Sequence, residues 1–193
     1  MLGMNRKRKG FTVAELLIVV AIVAVLVSVA IPVFIKKTEK AREAYDIYTM
    51  RQAASAAVNL YYAGVRDQAS AEAAGMKWWD QNSDKTKWNA AGAYVPSTGS
   101  FVPTKNELPA AYKKYGKGTS INGNTTFVMG NSRGAYKADQ DYTNAVVMVS
   151  IYPNESPKYL MVYWKNNASS STYVGGQESG GDRPLYSIKI LLE

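Results

Sequence analysis

The chain has 193 residues, a formal net charge of +8 at pH 7, and neither cysteine nor histidine. This length suits one modest domain, alone or with an appendage. Without cysteine there is no disulfide and no thiolate metal site, and without histidine the commonest general base and metal ligand are missing. The composition therefore disfavours most hydrolytic and transition-metal chemistries.

A basic cluster stands near the start of the chain. Arg6, Lys7, Arg8 and Lys9 supply half of the net charge, and the remaining lysines and arginines are scattered. A nucleic-acid-binding protein concentrates its cations in a patch or stripe. The overall charge therefore does not predict a nucleic-acid footprint.

Residues 11–35 form an apolar segment whose only polar members are Thr12, Glu15 and Ser28. About 20 apolar residues cross a bilayer as a helix, so this segment is long enough. The basic cluster before it should stay in the cytoplasm, with the rest of the chain outside. An ordinary secretory signal has a shorter apolar stretch that ends at a small-residue cleavage site. The segment is therefore predicted to be a membrane-spanning helix that is not removed.

The same helix is predicted to continue as an amphipathic half over residues 36–64, with Gly64 as its C-terminal stop. Glu39–Arg42 and Arg42–Asp46 are opposite-charge pairs at helical spacing and further favour a helix. Apolar side chains at spacings of three and four predict one buried face. That face contains Ile47, Met50, Ala54, Ala57, Val58 and Tyr61.

Residues 65–193 are predicted to form a globular head. Its first part, residues 65–117, shows no strand pattern and is interpreted as an irregular connection with one short helical turn at residues 69–74. Three tryptophans in this connection are interpreted as packing over a sheet or the long helix, and contact sites in a loop are the alternative. They are Trp78, Trp79 and Trp88.

Strands are predicted in the last third of the chain, where runs rich in Val, Ile and Tyr are bounded by turn residues. Residues 153–157 read as a hairpin loop, and residues 166–184 as a long exposed loop that is variable or makes contacts. The fold class is therefore α+β, a long N-terminal helix packed on an antiparallel sheet of about four strands. The predicted strands are residues 125–129, 145–152, 158–164 and 185–192.

Glu15 is the most informative polar residue of the apolar segment. A carboxylate inside a membrane helix costs about 2.5–3.5 kcal/mol on insertion scales, so it requires a partner. Residues 11–35 contain no cationic side chain. A cut after Gly10 would create an α-amino group on Phe11, on the same helical face as Glu15. We hypothesise that this pair forms between neighbouring chains and sets their axial register; the alternative is an acid that merely favours the helix N-terminus.

The sequence KGFTVAELL at residues 9–17 resembles the class III signal of type IV prepilins and pseudopilins. The resemblance implies the type IV pilin fold and a leader, residues 1–10, that a prepilin peptidase removes by cutting after Gly10. It implies N-methylation of the new N-terminal Phe11. It also implies that Glu15 neutralises the terminal amine of a neighbouring subunit during assembly.

Two further features bear on this resemblance. Pro32 removes a backbone donor inside the helix and favours a kink, and many pilins carry a helix-kinking proline at the corresponding position. The chain lacks the C-terminal disulfide of many Gram-negative pilins, which makes it more similar to Gram-positive pilins or pseudopilins. The strand at residues 185–192 must then anchor the C-terminal end by sheet pairing.

The leading hypothesis is a structural subunit, not an enzyme and without a cofactor, that polymerises into an extracellular type IV pilus for adhesion, motility or biofilm formation. The implied partners are further copies of the chain, the prepilin peptidase and the pilus assembly machinery; a host surface or DNA stays open. The implied location is the cytoplasmic membrane before assembly and the extracellular filament afterwards. The alternatives are a pseudopilin of a type II secretion or competence system, and a signal-anchored surface enzyme or binding module that is neither cut nor polymerised.

Three other motifs carry weaker signals. Residues 130–134 match G-x-S-x-G, but a serine triad needs a base and the chain has no histidine, so a turn is the favoured interpretation. Residues 116–118 read Gly-Lys-Gly and lack the spacing of a phosphate-binding loop. Asp139, Asp141 and Asn144 are weak candidates for a Ca²⁺ site, although they fit no EF-hand, and a solvated turn is the alternative.

Overall fold

A computed structural model gives the fold of the chain, which divides into two units, residues 1–38 and residues 39–193. Each unit is described by itself. The residues that the structure describes are 10–80, 88–118, 126–127, 135–167, 172–179 and 183–193.

Within the described residues the chain forms two α-helices and eight strands, with short 3-10 turns at Lys105–Glu107 and Ala110–Tyr112. The helices are α1 (Val13–Tyr62) and α2 (Gln68–Ala73). The strands are β1 (Lys77–Asp80), β2 (Trp88–Val95), β3 (Ser100–Val102), β4 (Thr126–Phe127), β5 (Tyr136–Lys137), β6 (Ala145–Tyr152), β7 (Tyr159–Asn166) and β8 (Ile188–Leu191).

The first unit contains the apolar part of α1 and has no core among its described residues. Every residue from 11 to 37 is exposed, and α1 is long and apolar enough to cross a membrane. The helix runs through Pro32, whose missing N–H leaves the carbonyl of Ser28 without its helical donor. The structure confirms the long N-terminal helix, while a kink at Pro32 stays a prediction.

The helix ends at Tyr62, and Gly64, which the sequence predicts as its C-terminal stop, follows two residues later. Gly64 has a φ of +111°, a backbone conformation that glycine adopts without steric cost. The N–H of Gly64 donates to the carbonyl of Tyr61 at 3.1 Å, and the N–H of Val65 donates to the carbonyl of Leu60 at 3.1 Å. These two bonds form a Schellman motif, which satisfies carbonyls at the end of α1.

The second unit is built around the amphipathic part of α1. The predicted apolar face is buried and belongs to one core with the sheet. Alternate residues of a strand point to opposite faces, and the alternate residues Val147, Val149 and Ile151 of β6 are fully buried members of this core. Four predicted residues of the helix face are at most 2% exposed, and the other two pack against the core partly buried. The four are Met50, Ala54, Ala57 and Tyr61.

The main sheet is antiparallel and has six strands, in the order β1-β2-β6-β7-β8 with β3 also paired to β2. The prediction of about four strands was wrong in number, because β1, β2 and β3 lie in the region predicted to be irregular. β2 is rich in Ala and Gly, which strands usually disfavour. It forms a strand because its small side chains fit a crowded site: a Cβ on Gly92 would lie 3.2 Å from the Cβ of Phe101 in β3.

The C-terminal strands agree with the prediction more closely. β6 and β7 pair along their whole length, with Tyr152 opposite Tyr159 across the predicted hairpin loop. β8 pairs with β7 and is shorter than the predicted 185–192. The hydroxyl of Tyr61 donates to the carbonyl of Glu193 at 3.3 Å. Sheet pairing and this bond to α1 therefore anchor the C-terminal end without a disulfide.

The remaining predicted elements have different outcomes. Of the predicted strand at 125–129 the structure describes only β4, which pairs with β5 in a separate two-stranded sheet. The G-x-S-x-G motif at 130–134 lies outside the described residues. The helical turn predicted at 69–74 is confirmed as α2, where Asp67 caps the helix and accepts the Ser70 N–H at 2.8 Å.

A buried carboxylate fastens α1 to the head. Asp46 is fully buried, and it accepts hydrogen bonds from the N–H groups of Lys117 at 2.7 Å and Gly118 at 2.6 Å. The Tyr136 hydroxyl also donates to it, at 3.1 Å. Glycine at position 118 leaves room for the Tyr136 hydroxyl, which a Cβ there would meet. The loop around residue 117 is thus tied to the middle of the helix.

This arrangement corrects one prediction and explains another motif. The predicted Arg42–Asp46 pair was wrong, since Arg42 contacts Glu39 instead. The predicted Glu39–Arg42 pair is confirmed, with Arg42 Nη1 at 2.9 Å from the Glu39 carboxylate. Asp46 lies on the buried face of the helix and takes its donors from the Gly-Lys-Gly loop. That loop does not hold a phosphate in this fold, because its amide groups bind the carboxylate of the chain's own helix.

Asp46 is expected to make folding stability depend on pH. Burial raises its pKa to about 6 from the ordinary 3.8, against the opposite effect of its hydrogen bonds. Because the folded state then holds the proton more tightly, this contribution to the free energy of unfolding is fully present below about pH 3.8. It is lost as the pH rises through about 6, a change on the order of 3 kcal/mol.

We expect Asp46→Asn to flatten this part of the stability profile. Denaturant unfolding of the detergent-solubilised chain, at pH values from about 4 to 8, measures the profile. Asp141→Asn is the matched control, because it removes an exposed carboxylate. A pH dependence that is equal in the wild type and in Asp46→Asn would show that the buried carboxyl does not titrate in this range.

Candidate processing and assembly site

The residues on either side of the predicted cut are accessible. Gly10 is exposed, and a Cβ placed on it would meet no atom within 4 Å. The side chain of Phe11 is 84% exposed. Both residues precede the first helical residue, Val13. A peptide bond in an exposed segment outside the helix is one that a peptidase can reach.

Glu15 and Thr12 form a capping box at the start of α1. The Thr12 N–H donates to Glu15 Oε2 at 2.8 Å, and the Thr12 hydroxyl donates to the same oxygen at 2.9 Å. In return, the N–H of Glu15 lies 3.2 Å from Thr12 Oγ1, which accepts its hydrogen bond. Reciprocal bonds between the N-cap and the third helical residue satisfy backbone donors that the helix leaves unpaired.

The capping box changes the argument about Glu15. The sequence predicts a carboxylate that needs a partner, with the Phe11 amine as the candidate, but in the uncut chain Thr12 supplies two donors to it. Both bonds use Oε2, and Oε1 accepts no hydrogen bond from the described residues. The positive end of the helix dipole also favours an acid here. The carboxylate is therefore oriented within its own chain while one of its oxygens stays open.

The role of Thr12 is the part of this site that sequence reasoning missed. The signal was present, because a threonine followed three residues later by a glutamate, before an apolar run, is the sequence signature of a capping box. The prediction from the sequence pairs Glu15 with an amine on Phe11, with an acid that favours the helix N-terminus as the alternative, and neither involves Thr12. The structure adds the residue between them that fixes the direction of the carboxylate.

Two of the weak calcium candidates, Asp139 and Asp141, have partners within their own segment. The Asp139 carboxylate contacts Lys137 Nζ at 3.3 Å. Asp141 Oδ1 accepts the N–H and the hydroxyl of Thr143 at 2.8 and 2.7 Å, as in a capped turn. Among the residues that the structure describes, no group of three or more acidic, histidine or cysteine side chains could hold a metal ion. The geometry at Asp141 is that of the turn considered as the alternative.

The comparisons with known proteins bear on the N-terminal segment. The prokaryotic N-terminal methylation motif matches residues 5–31 of the chain. None of the curated proteins and none of the solved structures matches it. The matched segment includes Gly10, Phe11 and Glu15, and it confirms the predicted class III signal peptide of type IV pilins and pseudopilins.

The motif and the fold agree with each other. A long apolar helix followed by an antiparallel sheet is an α+β architecture consistent with the type IV pilin fold. Together with the methylation motif, this architecture supports assignment of the chain to the class of type IV pilins and pseudopilins. The apolar helix also supports membrane anchoring of the precursor.

Proposed function

We propose that the chain is a structural subunit of an extracellular type IV pilus. A prepilin peptidase removes residues 1–10, Phe11 becomes the methylated N-terminus, and the subunit pool waits in the cytoplasmic membrane until the assembly machinery adds each copy to a filament. The observation that carries the proposal is the methylation motif at residues 5–31. It is supported by the exposed apolar helix that follows directly.

The proposed mechanism is assembly rather than catalysis. The apolar helices leave the membrane and bundle, and because apolar surface is exchanged for apolar surface, packing and polar pairs decide the arrangement. The open oxygen of Glu15 accepts the Phe11 amine of a neighbouring subunit, which neutralises both charges away from water. Thr12 orients that oxygen. The sheet and the long loops coat the outside of the filament.

Intact mass and N-terminal peptide mapping of material sheared from the cell surface test the processing step. We expect a high-molecular-weight fraction in which the chain has lost residues 1–10 and carries one methyl group on Phe11. The basic leader and the small residue at the cut are the basis for this expectation. An uncut chain found only in membranes would favour a signal-anchored surface enzyme or binding module instead.

A pseudopilin of a type II secretion or competence system is the second candidate, since the class III signal is common to pilins and pseudopilins. The same sheared fraction distinguishes the two. Long filaments outside the cell support the pilus, whereas a trimmed and methylated chain that stays in the cell envelope supports the pseudopilin.

A further inference from the structure

A groove of about 610 Å³ lies against the main sheet. Its floor comes from alternate residues of β6 and β7, including Ser150 and Tyr163, and its rim from β1 and the 3-10 turn at Lys105–Glu107. Pockets of about 300–1,000 Å³ are the usual size for small-molecule sites. The volume suits a ligand of a few sugar rings.

The floor of the groove carries buried hydroxyl groups. Ser150 is 2% exposed, and its Oγ lies 3.2 Å from the Tyr163 hydroxyl. Tyr152, which carries the third hydroxyl, lines the same groove. Burying hydroxyls on a sheet face costs free energy that apolar residues would not cost. Three of them at one spot provide donors and acceptors for a polyhydroxylated ligand.

Two lysines face the same groove. Lys105 Nζ donates to the Asn166 carbonyl at 2.9 Å, and burial together with the positive charge of Lys165 lowers the pKa of Lys105. Among the described residues neither lysine makes a salt bridge. Asp80 is the acidic residue of the lining. The groove therefore has an excess of positive charge that an anionic group would neutralise.

Trp79 forms an aromatic wall. Its side chain is 45% exposed, and Lys77 Nζ lies 4.0 Å from its ring centre. The other two tryptophans of the predicted loop pack on each other, with ring centroids 3.9 Å apart. The structure thus separates the three: Trp78 and Trp88 pack together, and Trp79 faces the groove.

We propose that this groove binds an anionic saccharide, with Trp79 against a sugar ring, Lys105 and Lys165 at the acidic group, and the hydroxyls of the floor at the sugar hydroxyls. Single-stranded nucleic acid also uses cations and aromatic rings, but it needs a series of exposed rings on which bases stack. Tyr152 and Tyr163 are only 9% and 7% exposed. The lining is therefore rich in hydroxyl groups and poor in stacking surfaces, which favours the saccharide.

Titration of the full chain in detergent tests this inference, with tryptophan fluorescence and calorimetry as readouts. The probes are trigalacturonate, the neutral trisaccharide maltotriose and a short oligothymidylate. We expect trigalacturonate to bind, maltotriose to bind several-fold more weakly, and Lys165→Gln to raise the Kd for trigalacturonate about tenfold. Lys158→Gln is the matched control, because it removes the same charge from an exposed lysine outside the groove lining.

Trp79→Leu provides a second variant and should raise the Kd by a similar factor, with the circular dichroism spectrum confirming that it folds. The inference is overturned if trigalacturonate does not bind at about 5 mM, if oligothymidylate binds more tightly, or if Lys158→Gln weakens binding as much as Lys165→Gln. The inference goes beyond the proposed function. The unassembled chain is sufficient for the test, so binding and filament formation can fail independently.

Discussion

Replacing Glu15 by glutamine is expected to leave the precursor cut after Gly10 and to reduce the yield of surface filaments about tenfold or more. Glutamine keeps a side-chain oxygen that can accept the Thr12 N–H, so the helix cap survives. It removes the negative charge that would pair with the terminal amine of a neighbour. A charge left unpaired in an apolar bundle costs several kcal/mol, and about 1.4 kcal/mol already corresponds to a factor of ten.

Thr12→Val is the control that separates capping from charge pairing. It removes the hydroxyl that bonds to Glu15 and keeps the carboxylate, so a large part of the filament yield should remain. Quantitative immunoblots of sheared material, with mass spectrometry of the N-terminus, measure both steps. Wild-type filament yield in Glu15→Gln would contradict the register hypothesis. An equally large loss in both variants would mean that the capping box, not the charge, is what assembly needs.

Replacing Gly10 by valine is expected to abolish trimming, so that the chain accumulates at full length in the membrane and no filament forms. At this position the bond to be cut must enter a peptidase site, and a β-branched residue is both larger and stiffer there than glycine. The fold itself should not suffer, because a Cβ at this position meets nothing within 4 Å. The mass of the membrane-bound chain measures the outcome.

Gly10→Ala is the matched control and should be trimmed, since it adds only one methyl group. A correctly trimmed Gly10→Val product would refute the assigned cut site. A full-length product from both variants would mean that the position tolerates glycine alone, which still agrees with a cut after residue 10. The circular dichroism spectrum of detergent-solubilised Gly10→Val shows whether the helix and the sheet are intact.

The sequence predicts those parts of the fold that local pattern decides. The apolar run and the spacing of Met50, Ala57 and Tyr61 predict α1, and the β-branched run of residues 145–152 predicts β6 with the same bounds that the structure has. β2 could not be predicted in this way, because Ala90, Ala91 and Ala93 favour a helix in isolation. Its neighbours in the sheet decide its conformation, and no local signal reports them.

The functional features likewise include some that local sequence predicts and others that depend on distant residues. Residues 9–17 can be interpreted from the sequence, because the motif is a short linear pattern that does not depend on tertiary contacts. The donors to Asp46 cannot, since they come from residues 71, 72 and 90 positions further along the chain. The groove that Trp79 lines belongs to the same kind of feature, because its lining comes from six separated parts of the chain.

The pairing of β8 has a consequence for the order of events during export. Tyr61 at the end of α1 bonds to Glu193, 132 residues later, and β8 completes the edge of the sheet beside β7. Contacts between such distant segments can form only after the intervening chain has been synthesised. In the export that we propose, the amphipathic part of α1 therefore emerges on the far side of the membrane before its covering sheet is complete. During that interval its apolar face is an exposed surface, open to premature contact with other nascent subunits or to capture by a chaperone.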